Sequence, residues 1–201
     1  MKIKNTLKLI FFTFLISVTY GCKQEDSFKN YKYDKQPDII SCKNINTKLL
    51  KEAVYSFEDD ILKYTKLGNP NNDLAQAYNQ TIRSAVYRRL RVQDIASPHS
   101  LEVLEALKKQ PNLWAKSNEK THLNYQNATT KCIANNLKDR NLKTTFNALL
   151  NTNSLTSKLF GTPLMTKYRN ALNDKHLATY IALDLFYAKL IDTNLDQTPN
   201  Q

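Results

Sequence analysis

Apolar residues recur three and four positions apart through most of the chain from residue 47 to residue 191, which is the spacing of one face of an α-helix. The clearest example predicts a helix over residues 47–67, followed by the helix-ending sequence Gly68-Asn69-Pro70. The apolar stripe of this helix consists of Leu50, Val54, Phe57, Ile61 and Tyr64.

The same spacing continues after this first helix, and no segment alternates between apolar and polar residues as a strand does. Together the helices predict an all-α bundle of about five to seven helices in a domain over 45–195, with a disordered tail at 196–201. The further predicted helices cover 74–95, the stretch from Pro98 to Pro111, 113–138, 142–150, a turn or short helix at 155–160 ended by Gly161, and 163–191, either continuous or broken near 173–174.

The beginning of the chain has a different pattern. Three lysines, Lys2, Lys4 and Lys8, precede an uncharged apolar run at 9–18. A run of this length suits the apolar core of a secretory signal, roughly 7–15 residues, and falls short of the roughly 18 or more that a transmembrane helix needs. The pattern therefore predicts export and excludes a permanent transmembrane anchor in this segment.

The residues after the apolar run, Thr19-Tyr20-Gly21-Cys22, resemble the lipobox of bacterial lipoproteins, although Thr19 stands where leucine is usual and Tyr20 is bulky for its place. The resemblance covers only the first 22 residues. It implies that residues 1–21 are a signal peptide, that Cys22 becomes the first residue, and that Cys22 carries a diacylglycerol and a further acyl chain such as palmitate. The alternative is an ordinary signal peptide with an incidental cysteine.

Residues 22–44 are polar and predict a lipidated flexible tether, with a reach of about 25 Å. The acidic residues Glu25 and Asp26 resemble the surface-export signal of lipoproteins in the Bacteroidota, and a random polar tether is the alternative reading. The resemblance implies the cell envelope, at the outer membrane, and leaves the periplasmic face and the cell surface both open.

The formal net charge of +11 could favour anionic lipid, acidic polysaccharide or nucleic acid, but the basic residues are scattered along the chain. An extracytoplasmic location argues against nucleic acid and leaves an envelope protein or an anionic polymer as the expected partner. A candidate anion site lies on the outward side of the second predicted helix, where a solvated surface is the alternative. It consists of Arg83, Tyr87, Arg88 and Arg91.

Apart from Cys22 the chain has two cysteines, Cys42 and Cys132. An even pair in an exported protein predicts a disulfide, and two buried free thiols are the alternative. Closing so long a loop would stabilise the fold by about 4 kcal/mol in the chain-entropy treatment.

Two charged residues fall inside apolar stripes when the helices are projected at about 100° per residue. These are Arg89 in the second predicted helix and Asp184 in the last. A buried charge is costly unless it is paired, so we expect Arg89 and Asp184 to meet, or each to find a tyrosine hydroxyl or a backbone partner.

Catalytic chemistry has little support in the sequence. His99 and Glu102 are half of a metal-binding pattern, and the acidic run Glu58-Asp59-Asp60 is read as a solvated helix face. The motifs of phosphate loops, nucleophile elbows, zinc proteases and haem attachment do not occur. We therefore predict no catalytic residue, no metal and no cofactor, and favour a non-enzymatic binding domain. The alternatives are an enzyme or small-ligand binder with a site from distant helices, and an inhibitor or immunity lipoprotein.

Overall fold

The structure is a computed structural model that describes residues 28–193. Cys22, the predicted signal peptide and the predicted tail lie outside the described residues. The described part is mostly helical with one small two-stranded sheet, which confirms the predicted all-α bundle. None of the helices in this part has a stretch that is both long and apolar enough to cross a membrane.

The first helix, α1 (Thr47–Gly68), follows the predicted bounds closely. Asn46 begins it by accepting a hydrogen bond from the backbone N–H of Leu49. Its apolar stripe is buried except at Tyr64, which is 41% exposed at the end of the helix. Helix α1 packs against the second and third helices and against the helical segments Lys175–Tyr180 and Ile181–Tyr187 near the end of the chain.

The second helix, α2 (Leu74–Val86), starts in a capping box formed by Asp73 and Gln76. It ends at Val86, and not near residue 95 as predicted. Arg88 adopts a left-handed backbone conformation (φ 57°), which turns the chain away from the helix axis. A short 3₁₀ turn (Val92–Asp94) and α3 (Pro98–Lys108) follow.

A β-hairpin replaces the first half of the predicted helix over 113–138, and that prediction was wrong. Strand β1 (Trp114–Ser117) pairs antiparallel with β2 (Lys120–Leu123). The two residues between the strands, Asn118 and Glu119, both have positive φ, as a tight hairpin turn requires. The carboxylate of Asp192 anchors β2 by accepting hydrogen bonds from the N–H and hydroxyl of Thr121 at 2.8 and 2.6 Å.

The second half of the chain returns to helices. These are α4 (Ala128–Asn136), α5 (Arg140–Asn151), α6 (Ser157–Lys167), a 3₁₀ segment (Tyr168–Leu172), α7 (Lys175–Tyr180), a π-helix (Ile181–Tyr187) and α8 (Ala188–Ile191).

Helix α6 continues through Gly161, where the sequence predicted an end. A Cβ atom at position 161 would overlap a methyl group of Val86 on α2. Glycine is therefore required at this position because two helices approach closely, and not because the chain turns.

The segment before α1 lies against the domain, although the sequence predicted a tether over 22–44. The buried carboxylate of Glu52 accepts hydrogen bonds from the backbone N–H groups of Lys32 and Tyr33 at 2.7 and 3.0 Å. Ile39 and Ile40 enter the core. Residues 28–40 are therefore held on α1 by paired polar groups and by apolar burial.

The predicted disulfide between Cys42 and Cys132 is present and joins the segment before α1 to α4. The two Cα atoms lie 6.2 Å apart, inside the usual range of roughly 4.4–6.8 Å.

Candidate functional site

The π-helix carries one charged residue into the centre of the domain. From Leu177 to Ala188 every residue is buried, and Asp184 is the only charged one among them. A π-helix adds one residue to a turn, and such segments occur frequently at functional sites. Tyr180 lies one turn before Asp184 and packs edge-on against Phe146 and Phe160, which holds its ring in place.

The carboxylate of Asp184 collects hydrogen bonds from four separate parts of the chain. The backbone N–H of Leu123 donates at 2.9 Å and the hydroxyl of Tyr180 at 2.9 Å. The hydroxyl of Tyr125 donates to both carboxylate oxygens, at 3.2 and 3.3 Å, and the hydroxyl of Ser157 donates at 3.3 Å. Asp184 therefore ties the hairpin, the following loop and α6 to the last helix.

Burial raises the pKa of Asp184 above its ordinary value, while the hydrogen bonds from Leu123 and the tyrosines oppose that rise. Burial and the nearby carboxylate also raise the pKa values of Tyr125 and Tyr180 well above the ordinary tyrosine value. Both hydroxyls therefore remain protonated and act as donors to Asp184 at any ordinary pH.

A small open cavity of about 270 Å³ lies between the hairpin and the end of α5. Its lining is partly polar and partly apolar. The lining residues are Ala115, Lys116, His122, Asn124, Tyr125, Gln126, Leu149, Leu150, Asn153 and Leu155.

Tyr125 connects this pocket to Asp184, since its ring lines the cavity and its hydroxyl bonds the buried carboxylate. The imidazole of His122 stacks on the same ring, with centroids 4.6 Å apart and planes 31° apart. The Nδ1 atom of His122 lies 2.8 Å from the carbonyl oxygen of Leu123. Because a carbonyl can only accept, Nδ1 carries a proton, and the Nε2 atom is left to face a ligand.

Side-chain amides form the opposite side of the pocket. The Nε2 atom of Gln126 donates to Oδ1 of Asn153 at 2.9 Å, and Asn153 is held in the left-handed conformation at the end of α5. Asn124 is engaged through both amide atoms, because it accepts from the N–H of Gln126 and donates to the carbonyl of Asn112. Within the described part of the chain, Oε1 of Gln126 and Nδ2 of Asn153 make no hydrogen bond to protein and are available to a ligand.

The predicted pair of Arg89 and Asp184 does not form. Arg89 is exposed and its guanidinium lies 5.3 Å from the centre of the Tyr87 ring. The prediction failed because α2 ends at Val86, so the helical projection does not apply to Arg89. Asp184 is buried and takes tyrosine and backbone partners, which was the alternative considered for it.

The proposed anion site is not one helix face for the same reason. Arg83 lies in α2 and donates to Asn79, whereas Tyr87, Arg88 and Arg91 follow the end of the helix. The guanidinium of Arg91 is paired with Asp94 at 2.9 Å. The four residues therefore do not share one helix face.

The acidic run in α1 is not a solvated face, and that interpretation was wrong. Glu58 is buried and accepts hydrogen bonds from Tyr78 at 2.8 Å and from Lys175 at 2.6 Å. Asp60 is buried and accepts from the N–H of Ser97 at 2.9 Å. Each acid has its own partner on a different neighbouring element, so the run builds contacts between helices.

His99 does not pair with Glu102 to begin a metal site. Its Nε2 atom lies 2.6 Å from the buried carboxylate of Glu52, whereas Glu102 is 4.0 Å away. A different trio could ligate a metal through one atom each, namely Cys42, Cys132 and His176, but the disulfide engages both sulfurs.

The sequence predicted no functional role for His122, Gln126 or Asn153. No pattern in the sequence distinguishes these residues from other polar residues, because the loop and the helix end that carry them meet only in the folded domain. The comparison of this chain with protein-family models, with curated proteins and with solved structures finds no match in any of the three.

Proposed function

We propose that this protein is a lipid-anchored lipoprotein of the cell envelope, at the outer membrane, whose helical domain binds an envelope protein or polymer. The anchor is supported by Gly21-Cys22 directly after an apolar run of signal-peptide length. The binding role is supported by one observation above all, the pocket at His122 and Tyr125 with its unused amide and imidazole atoms.

The size and chemistry of the pocket favour part of a larger partner. A cavity of about 270 Å³ is below the roughly 300–1,000 Å³ of ordinary small-molecule sites. It would hold one protruding side chain or one sugar unit. The free atoms of Gln126, Asn153 and His122 offer both donors and acceptors, and Lys116 adds a positive charge for an acidic group.

A photo-crosslinking experiment in intact cells tests the binding role. A benzophenone side chain at Leu150, in the wall of the pocket, is expected to give a discrete crosslinked product. The matched control is the same side chain at Leu67, an exposed leucine that does not line the pocket. The product from position 150 should disappear when Gln126→Ala is added. Equal products from both positions, or none from position 150, would overturn the proposed binding site.

A labelling experiment tests the anchor separately. Cells fed radioactive palmitate should label the wild-type chain and not Cys22→Ser, and the variant should leave the membrane fraction. Several acyl chains suffice for stable anchoring, since each buried methylene contributes about 0.8 kcal/mol. An unlabelled wild-type chain would overturn the lipoprotein assignment and leave the pocket proposal intact.

A small-ligand binder or enzyme is the second candidate, because the site is assembled from distant elements around a buried acid with a raised pKa. Asp184 does not line the pocket, so a ligand there would contact Tyr125 and His122. Turnover of an envelope substrate that is lost in His122→Ala would favour this candidate over the first.

A further inference from the structure

The disulfide lies beside a histidine at the start of α7. Cys42 precedes α1, Cys132 lies in α4, and His176 is the second residue of α7. The two sulfurs and an imidazole nitrogen lie within 4.8 Å of one another, and all three side chains are half-buried. Three elements that are far apart in the sequence thus bring two sulfurs and an imidazole nitrogen close together.

This arrangement is close to the geometry of a tetrahedral zinc site. With metal–ligand bonds of about 2.0–2.3 Å, the ligand atoms of such a site lie roughly 3.5–3.8 Å apart. After reduction the sulfurs would separate to about that distance, and the imidazole would need to approach by at most about 1.3 Å. Two thiolates and one imidazole are ligands that zinc prefers, and the fourth position would be left for water.

The surroundings of His176 support this role. Asp174 is buried, and three backbone N–H groups hold its carboxylate, those of Lys138, His176 and Leu177. Its Oδ1 atom lies 3.9 Å from Nδ1 of His176, beyond hydrogen-bond distance but near enough to attract an N–H at that position. Carboxylates that orient metal-binding imidazoles accept a hydrogen bond from the ring N–H, and Asp174 would do so once His176 moves closer by about 1 Å.

We propose that, once the disulfide is reduced, the thiolates of Cys42 and Cys132 and the imidazole of His176 form a binding site for Zn²⁺. Reduction by a phosphine breaks the S–S bond, transfers the oxygen of one water molecule to phosphorus, and leaves the two water protons on the two sulfurs. The ion then displaces both thiol protons. In the oxidised protein neither sulfur is a thiolate, so the same three residues hold no metal. This site is independent of the pocket proposed above.

The test uses Co²⁺ as a spectroscopic substitute for Zn²⁺ with the chain carrying Cys22→Ser, so that Cys42 and Cys132 are its two thiols. The chain is reduced with a water-soluble phosphine, desalted without oxygen and titrated with Co²⁺. A thiolate-to-cobalt charge-transfer absorption should appear with one ion per chain, and Zn²⁺ should abolish it. The oxidised chain should show no such absorption.

Variants separate this site from a chance thiol complex. Cys42→Ser should abolish the absorption. His176→Ala should weaken Co²⁺ binding by at least the roughly 10–100-fold that is lost when a residue hydrogen-bonded to a metal ligand is removed. The matched control is His99→Gln, at a half-buried histidine outside both the cluster and the pocket, which should bind Co²⁺ as the wild type does.

Circular dichroism recorded during the titration shows whether reduction has unfolded the chain, so the test remains decisive in either case. A reduced chain that unfolds should then refold on addition of the ion, because binding free energy is folding free energy in such sites. The proposal is overturned if the folded reduced chain shows no charge-transfer absorption, if an unfolded reduced chain stays unfolded with Co²⁺, or if His176→Ala binds as tightly as the wild type.

Discussion

Replacement of Asp184 by alanine should lower the free energy of unfolding, and the size of the effect follows from the partners that lose their acceptor. The N–H of Leu123 and the hydroxyl of Tyr180 belong to fully buried residues, and water cannot replace the carboxylate for them. Each unsatisfied buried donor costs about 1–3 kcal/mol, which gives about 2–6 kcal/mol for the two. The half-buried Tyr125 and Ser157 are nearer to solvent and are expected to add little.

Removal of the charge acts in the opposite direction. The pKa of Asp184 is raised by burial, so its ionised form is less favourable in the folded state than in the unfolded chain. Alanine relieves this penalty at neutral pH. We therefore expect the net loss at pH 7 to fall in the lower half of the range, about 2–4 kcal/mol.

Asp184→Asn is the matched variant, because it keeps an acceptor for Leu123 and removes the charge. Its comparison with the wild type has a defined dependence on pH. Between the unfolded and folded pKa values of Asp184, the folded state binds more protons, so wild-type stability falls as pH rises. The asparagine variant lacks this contribution. The stability of the wild type minus that of the variant should thus be largest near pH 4 and decrease with pH, by at most about 1.4 kcal/mol per pH unit.

Urea unfolding followed by far-ultraviolet circular dichroism measures these differences between about pH 4 and pH 8. The reasoning would be refuted if alanine cost less than about 1 kcal/mol at pH 7. It would equally be refuted if the difference between wild type and asparagine stayed constant or grew with pH.

Three further changes probe other parts of the fold. Replacing Cys42 and Cys132 together by alanine should reduce stability by about 4–5 kcal/mol in the chain-entropy treatment of a loop with sequence separation 90, and a loss below about 1 kcal/mol in thermal unfolding would contradict it. Gly161→Ala should cost about 1–3 kcal/mol through its overlap with a methyl group on α2, and adding Val86→Ala should recover most of that loss if the overlap is the cause. Glu52→Ala should release residues 28–36 from α1, visible as faster amide hydrogen exchange in that segment, and unchanged exchange would refute the anchoring role of this carboxylate.

The burial of Asp184 could be predicted from sequence because the last helix runs unbroken, in apolar surroundings, on both sides of it. The same projection failed for Arg89 because it assumed a helix that had already ended. The chain turns at Arg88, which adopts a left-handed conformation that is uncommon outside glycine and asparagine. The residue types at this position therefore do not predict the turn.

The hairpin shows a similar limit. Its turn is built from Asn118 and Glu119, without the glycine that usually marks such turns. The strand β2 is stabilised by the contact between Thr121 and Asp192, which lie 71 residues apart. No local sequence pattern connects these two residues. A contact of that separation depends on how the last helix crosses the hairpin.

The amino-acid sequence alone was sufficient for the helical class, for most helix starts, for the cysteine pair and for the buried acid. These depend on periodicity, on capping residues next to their helices and on residue types, all of which are local. Only the tertiary structure decided which group pairs with each buried charged side chain. It also decided that His122, Gln126 and Asn153 line the same pocket. The physical reason is that these hydrogen bonds and this cavity form between different elements. Tertiary packing, and not proximity in the sequence, determines which residues meet there.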